Sequence, residues 1–491
     1  MHPRIVVGVA LAALVGSLCG TSQPVDILRS IEEGTEIVQL TTSLLRYRFS
    51  EAGGTLRSAF IHFASYGTSP LDVVPGWGSG AQPTLASGVS LPFEVWIGEE
   101  NADPRTYDLN IAQPEPDRAT VRVAYDGEDL QAEKAFHVGW DGLYTMGIEV
   151  HIRAPGERIR LVLGHRPTGK DGPELIYIYD GARTAERKEL GTYAVFSGLG
   201  LVDSQRVFFL RLDEGNVAPF SWMNANGHPV FGVEALGELV LRGTLYAGRN
   251  RYVLLEKADL ELLAPVGFFS QILVWVMRFF EWLYHVTGNY GWAIILFTLI
   301  TRIVTYPLMR NQYRSMAKMQ RLAPKLKRLQ EKYKDDRQTL QQQMMELYRQ
   351  EKVNPLGGCL PLILQFPILI LLWQAIMHSA EQIHISPGFL WLRDLSQPDP
   401  YYIMIVLATG AQLLQQWLTQ RRMPEPPTGG SQMIGWVFPI VMALLFLSFP
   451  AGLWLYWLLS TLFQIGQQLI FDFEMARETK PAPAADGPPT A

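Results

Sequence analysis

After Ala264 the chain becomes apolar in blocks of bilayer length, and nothing else in its 491 residues restricts the fold as strongly. Lipid offers no partner to backbone N–H and C=O groups, so a segment inside it must be a helix or part of a closed barrel. Residues 289–309, 355–378 and 401–419 each come near the ~20 apolar residues that a helical span needs. The run that begins at residue 433 is long enough for two spans, 433–449 and 452–472, with Phe-Pro-Ala-Gly at 449–452 as its natural break. Residues 265–288 are also apolar but include Arg278 and Glu281, which suits a helix lying along the interface.

Inside the stretch 292-WAIILFTLITRIVTYPL-308 stands Arg302. A charge at the centre of a span is unfavourable by roughly 2.5–3.5 kcal/mol on insertion scales, so something must offset it. With a rise of ~1.5 Å per residue from Asn289, Arg302 lies roughly 20 Å along the helix. Thr298, Arg302 and Thr305 are spaced i, i+4, i+7 and share one face. Other spans contribute Gln365, Gln374, Gln412, Ser460 and Gln467, whereas acidic residues stay near the span ends, as Asp472 does. Two readings stand. Either the guanidinium sits in a wet, polar cavity where it attracts the carboxylates of a passing chain, or it snorkels to the cytoplasmic headgroups.

The formal net charge of −5 averages two unlike regions. Residues 20–264 carry 33 Asp and Glu against 22 Lys and Arg, while 310–352 carry 5 against 12. Basic connections stay in the cytoplasm, which assigns 310–352 inside, together with 420–432 and its Arg421 and Arg422. Residues 379–400 and 20–264 then lie outside, and both termini lie inside. The apolar run 5–19 has the length of a signal-peptide core and is short for a span; as a cleaved signal or a retained anchor it directs export of the polar region after it. The two cysteines, Cys19 and Cys359, sit in apolar segments, so no disulfide framework can form in the polar region between them.

From residue 36 to 259 the pattern is that of strands. Tyr144, Met146, Ile148, Val150 and Ile152 alternate on one face, residues 37–49 read as one strand leading to a turn at Gly53-Gly54, and 206–212 and 238–248 add more strands between Gly, Pro and Asp turns. The expectation is an antiparallel sandwich over 21–264. In the basic connection 310–354, Met316, Met319, Leu322, Leu326, Leu329 and Tyr333 repeat at helical spacing; Asp336 then offers an N-cap, and Leu340, Met344, Leu347 and Tyr348 form a second stripe. That is a helical hairpin, and it serves as a lid on anionic headgroups, as an adaptable methionine-lined contact surface, or as both. HExxH, GxSxG and phosphate-binding loops are absent, and His137, His151 and His165 read as ordinary strand or turn residues. No cofactor, metal or nucleotide-driven catalysis is expected.

"TRIVTYPL" (301–308), "QYRSMAKMQ" (312–320), "EKVNPLGGCLPLILQFPI" (351–368), "DLSQPDPYYI" (394–403) and "FPAGLWLYW" (449–457) resemble the YidC family of membrane protein insertases, in the same order and at fitting spacings. The likeness is close over 266–472, and the β region resembles, more loosely, the periplasmic sandwich of members from bacteria with an outer membrane. It implies a bacterial inner-membrane protein whose N-terminal helix (1–20) is retained beside a five-helix core. That core encloses a hydrophilic groove open to cytoplasm and lipid. The implied groove residues are Arg302, Thr298, Gln365, Tyr456, Trp457 and Ser460, with nascent membrane proteins as substrates and the Sec translocon and, through the cytoplasmic loops, the ribosome as partners. Trp457 stands where relatives carry a second tyrosine, which keeps a stacking surface and loses a hydroxyl. The tail 473–491 is short and scarcely basic, so a ribosome-binding role for it is not carried over. A solute transporter or channel with an extracytoplasmic binding domain is the alternative; it predicts internal repeats between 266–378 and 401–471, which the sequence does not show. The outer sandwich could also bind sugars in its own right.

Overall fold

Alternation along 144–152 buries one face and wets the other: Tyr144, Met146, Ile148, Val150 and Ile152 are all at most 3% exposed, while Glu149, His151 and Arg153 face solvent. In the computed structural model this segment opens the 21-residue strand Thr145–His165, which pairs antiparallel with the equally long Pro229–Arg249. The structure describes residues 24–65, 68–74, 90–98, 105–139, 143–165, 173–185, 195–223, 229–264, 267–334, 336–351, 360–421 and 430–478. The expected N-terminal helix, Cys19, Cys359 and the end of the tail lie outside them. The chain divides into a β unit ending at Val274 and a helical unit that runs on from Trp275.

The β unit is an all-β sandwich. The two long strands lie within an eleven-stranded antiparallel sheet, and a five-stranded antiparallel sheet formed by residues 26–72 packs against it. Phe49 of the smaller sheet meets Phe136 of the larger at 4.9 Å, and Phe93 meets the same ring at 5.0 Å. Residues 37–49 do not form one strand. They split into Thr35–Thr41 and Leu45–Ser50, because the Thr42 hydroxyl accepts from the N–H groups of Leu44 and Leu45 at 3.3 and 3.0 Å and closes a turn that the apolar pattern conceals. His137 and His151 lie on strands, with Thr120 and Glu238 as side-chain partners.

Lys134 crosses from one sheet to the other. It is completely buried, and its Nζ donates to the carbonyls of Gly53, Gly54 and Phe93 at 2.8, 3.1 and 2.7 Å, beneath the face of the Tyr107 ring. Burial pulls the lysine pKa below its ordinary range, while three carbonyls and a ring face are the surroundings that an ammonium with three N–H donors needs. Gly54 is required here: its φ is +56°, and a Cβ would stand 2.8 Å from Val123 Cγ1 and 3.1 Å from the ammonium.

The helices of the second unit follow the apolar blocks. A short α1 (Tyr252–Lys257) ends the β unit. Then come α2 (Phe268–Thr287), α3 (Tyr290–Lys332), α4 (Arg337–Gln350), α5 (Leu360–His378), α6 (Ala380–Ile385), α7 (Ile403–Arg421), α8 (Gly430–Leu445) and α9 (Ala451–Glu478). Among the described residues, Tyr290–Asn311 is long and apolar enough to cross a membrane, and Gln365–His378 and Gly435–Leu445 are shorter apolar helices. The anticipated span at 289–309 and the first half of the basic hairpin are one continuous helix of 43 residues. The turn at 333–336 is present, and the Asp336 carboxylate caps α4 by accepting from Thr339 N at 3.0 Å. Helix α8 ends before the Phe-Pro-Ala-Gly element and α9 starts inside it.

At its start α3 is tied to the 386–400 connection. Asn289 caps the helix by accepting from Gly291 N at 2.8 Å, and its amide donates to the carbonyls of Pro387 and Gly388 at 3.1 and 3.0 Å. Tyr290 donates to Gln382 at 2.9 Å. Gly291 has no room for a methyl group: a Cβ would stand 2.1 Å from Cγ of the buried Phe389. Gly291→Ala is therefore expected to destabilise the helical unit by about 1–3 kcal/mol, as overpacking does, visible as a lower melting temperature of the detergent-solubilised protein.

Candidate polar site around Arg302

Arg302 sits on α3 with one side of the helix turned to its neighbours. Ile303, Val304 and Leu308 are 62%, 72% and 43% exposed, whereas Arg302 is 7% exposed and Thr298 is fully buried. The guanidinium points to α5. Its Nη2 donates to Gln365 Oε1 at 2.7 Å, and the other end of that amide, Nε2, donates to Tyr456 Oη on α9 at 2.7 Å. Charge, amide and phenol thus form one chain across three helices. Among the described residues no carboxylate pairs with Arg302, whose side-chain partner is a neutral amide. A charged group without a counter-ion at this depth is costly to keep, and a protein retains one where it serves a ligand or a path.

The cavity beside the guanidinium is small. Thr301, Arg302, Thr305, Met309, Gln365, Ile368 and Tyr456 line it, and its volume of about 10 Å³ is room for roughly one water. The threonines of α3 turn their hydroxyls back onto their own helix: Thr298 donates to Ile294 O at 2.6 Å, Thr301 to Thr298 O at 2.9 Å and Thr305 to Thr301 O at 2.8 Å. They line or back the cavity without competing for the guanidinium. From α9, Gln467 donates to the backbone carbonyl of Arg302 at 3.1 Å. About two to three turns further along, Met309 and Tyr313 of α3 pack on Phe471 of α9, and Arg310 pairs with Glu474 at 2.7 Å. These contacts zip the two helices together on the side of Arg302 away from Asn289.

Of the six residues expected around a groove, the structure brings Arg302, Gln365 and Tyr456 into direct contact. Thr298 is buried one turn before Arg302 and Ser460 one turn after Tyr456. Trp457 turns elsewhere: its ring stacks on Trp454 at 5.6 Å and 15°, and it is not among the described residues that line the cavity. Thr301, Met309 and Ile368 were not anticipated. The signal for two of them was available, since Thr301 is one turn before Thr305 and Ile368 is i+3 from Gln365. In the basic hairpin Met344 and Tyr348 are half-buried on one face of α4, and Lys325 pairs with Glu351 across the hairpin at 2.6 Å; the side chains of Met316 and Met319 lie outside the described residues.

A family profile described as 60Kd inner membrane protein matches residues 282–478, the part of the chain that builds this site. Membrane protein insertase YidC of Wolinella succinogenes is 32% identical over 424 residues, covering 82% of this chain and 77% of that protein. The chain belongs to the YidC family. YidC of Francisella tularensis subsp. novicida is 45% identical over 224 residues, 44% of this chain and 39% of that protein. In fold the chain is similar to a crystal structure of an active YidC insertase with its first transmembrane domain resolved. The TM-score is 0.54 at 22% identity, over 94% of this chain and 97% of that one. That likeness is one of architecture, a β-sandwich followed by a helical region.

Proposed function

We propose that this protein inserts integral membrane proteins into the bacterial inner membrane and assists their folding; its Wolinella relative is named a membrane protein insertase. In this reading α3, α5, α7, α8 and α9 are the five spans, α2 lies in the outer interface, the sandwich is periplasmic, and α4 with the end of α3 stands in the cytoplasm. Its partners are nascent membrane proteins and the lipid bilayer, with the Sec translocon as an alternative donor of substrate. The methionine-lined hairpin, including Met316, Met319, Met344 and Tyr348, meets the nascent chain or the ribosome.

The observation that supports this best is a buried guanidinium, within an apolar helix of membrane-spanning length, whose side-chain partner among the described residues is a neutral amide. Such a group attracts the hydrophilic, acidic end of a passing chain, while the chain's apolar segment moves into lipid. Apolar transfer at roughly 25 cal/mol per Å² drives the step without nucleotide hydrolysis or covalent chemistry. Site-specific crosslinking from positions 298, 305 and 457, and from the outward-facing position 304, to a stalled, membrane-destined nascent chain tests it with Arg302 in place. Crosslinks from 298 and 305 that require the substrate's hydrophilic tail are expected, and crosslinks from position 304 alone would refute it. Deletion of residues 30–250 separates the sandwich from the insertion machinery, and insertion is expected to persist without it.

A further inference from the structure

The amide of Gln365 occupies the group that a substrate would have to reach. It accepts from Arg302 Nη2 at 2.7 Å and donates to Tyr456 Oη at 2.7 Å, so both of its ends are held. The cavity these residues line has room for roughly one water. A substrate carboxylate that takes Nη2 must take the place of the Gln365 carbonyl, and with so little space beside the guanidinium the side chain must swing away.

The geometry points to Gln365 as a specificity-determining latch: an internal, neutral competitor that reserves Arg302 for acceptors stronger than an amide. This rests on the reading of Arg302 as the element that attracts substrate. A bond from guanidinium to carboxylate is charge-assisted on both sides and roughly twice as strong as one between neutral groups, so an Asp or Glu in the incoming tail displaces the latch. A backbone carbonyl, Asn or Gln offers only what Gln365 already supplies, and exchange brings no gain. The seam between α3 and α9, through Gln467, Phe471 and Glu474, holds Arg302 and Tyr456 in place while the latch on α5 moves. Tyr456 is then the positioning residue of the latch: its hydroxyl accepts from Nε2 and holds the amide in place with Oε1 on the guanidinium. Sequence discrimination in this part of the machine comes from competition between acceptors, with no shaped pocket required.

The test uses the full chain reconstituted in liposomes and two versions of one single-span substrate, with Asp or Asn at the same tail positions. The readout is the ratio of insertion rates for the two tails. The cost of displacing Gln365 is common to both tails, so the ratio is read at saturating substrate, where the Asp tail already fills the site and only the Asn tail has binding to gain. There Gln365→Leu, which removes the competitor at similar volume, should lower the Asp-to-Asn ratio by roughly tenfold, while at low substrate both tails should insert faster by a similar factor. Gln365→Glu replaces the amide with an ionic partner and should slow both tails. Tyr456→Phe keeps Gln365 and the ring but frees the amide, and should shift the ratio in the same direction as leucine, which covers the case of a misfolded leucine variant. An unchanged or higher ratio in both Gln365→Leu and Tyr456→Phe, with Arg302→Ala abolishing the preference, overturns the latch and leaves the role of Arg302 intact. A preference that survives Arg302→Ala overturns both.

Discussion

Arg302→Ala is expected to abolish insertion of substrates with acidic N-terminal tails, while Arg302→Lys retains much of it. Alanine removes the positive charge and its bond to Gln365, so a passing carboxylate meets only neutral groups: threonine hydroxyls already bonded to their own helix, the Gln365 amide and the Tyr456 hydroxyl. The loss of a hydrogen bond between charged groups, about 1.5–3 kcal/mol, corresponds to a fall in rate of at least about tenfold. Lysine keeps a point charge at the same depth but loses the planar fork, so it should act more weakly on every acidic substrate. The stability signature separates this from misfolding. Removing an unpaired charge from a bundle also removes its desolvation cost, so the alanine variant should accumulate in the membrane and melt no lower than the native protein. Equal insertion of an acidic substrate by native protein and alanine variant in a reconstituted assay would exclude the charge as the attracting element.

The largest expected effect on stability lies in the β-sandwich. Lys134→Met keeps the length of the side chain and deletes the donor, leaving the carbonyls of Gly53, Gly54 and Phe93 without the ammonium in a site that water does not reach. Each buried acceptor left without its donor costs about 1–3 kcal/mol, and three of them even at the low end, about 3–5 kcal/mol, are a large share of the 5–15 kcal/mol typical of a domain. A drop of roughly 10 °C in the first thermal transition is the expected readout, at 2–4 °C per kcal/mol for a domain of this size. The variant should leave insertion by the helical unit unaffected if that unit works without the sandwich. A melting curve superimposable on that of the native protein would show that the three carbonyls find other donors.

Much of the architecture is legible along the chain. Alternation at 144–152 marks a buried strand face, the apolar blocks after residue 264 mark the helices, and Asp336 marks the start of α4 by its position before a helical stripe. These features are local: a period of two or of 3.6 and a capping side chain act within a few residues, so the order of residues suffices to read them. The stretch 37–49 divides into two strands because the Thr42 turn is a contact between a side chain and nearby backbone that apolar periodicity does not register.

The site is another matter. That Arg302 lies inside an apolar helix, sharing a face with Thr298 and Thr305, comes from counting, and so does the poverty of acidic residues within the spans. What the guanidinium touches does not. Residues 302, 365 and 456 belong to three helices separated by a hairpin and a long connection, and no periodicity relates them. Only the packing of α3, α5 and α9 brings Gln365 between a cation and a phenol, turns Trp457 onto Trp454, and leaves beside the guanidinium a space for about one water. The sequence by itself determined that a charge would stand well inside an apolar helix long enough to cross a membrane, because residue order sets its place along the helix. Tertiary structure decided which neutral acceptor holds that charge, because hydrogen bonds between helices depend on the rotation and closeness of their faces.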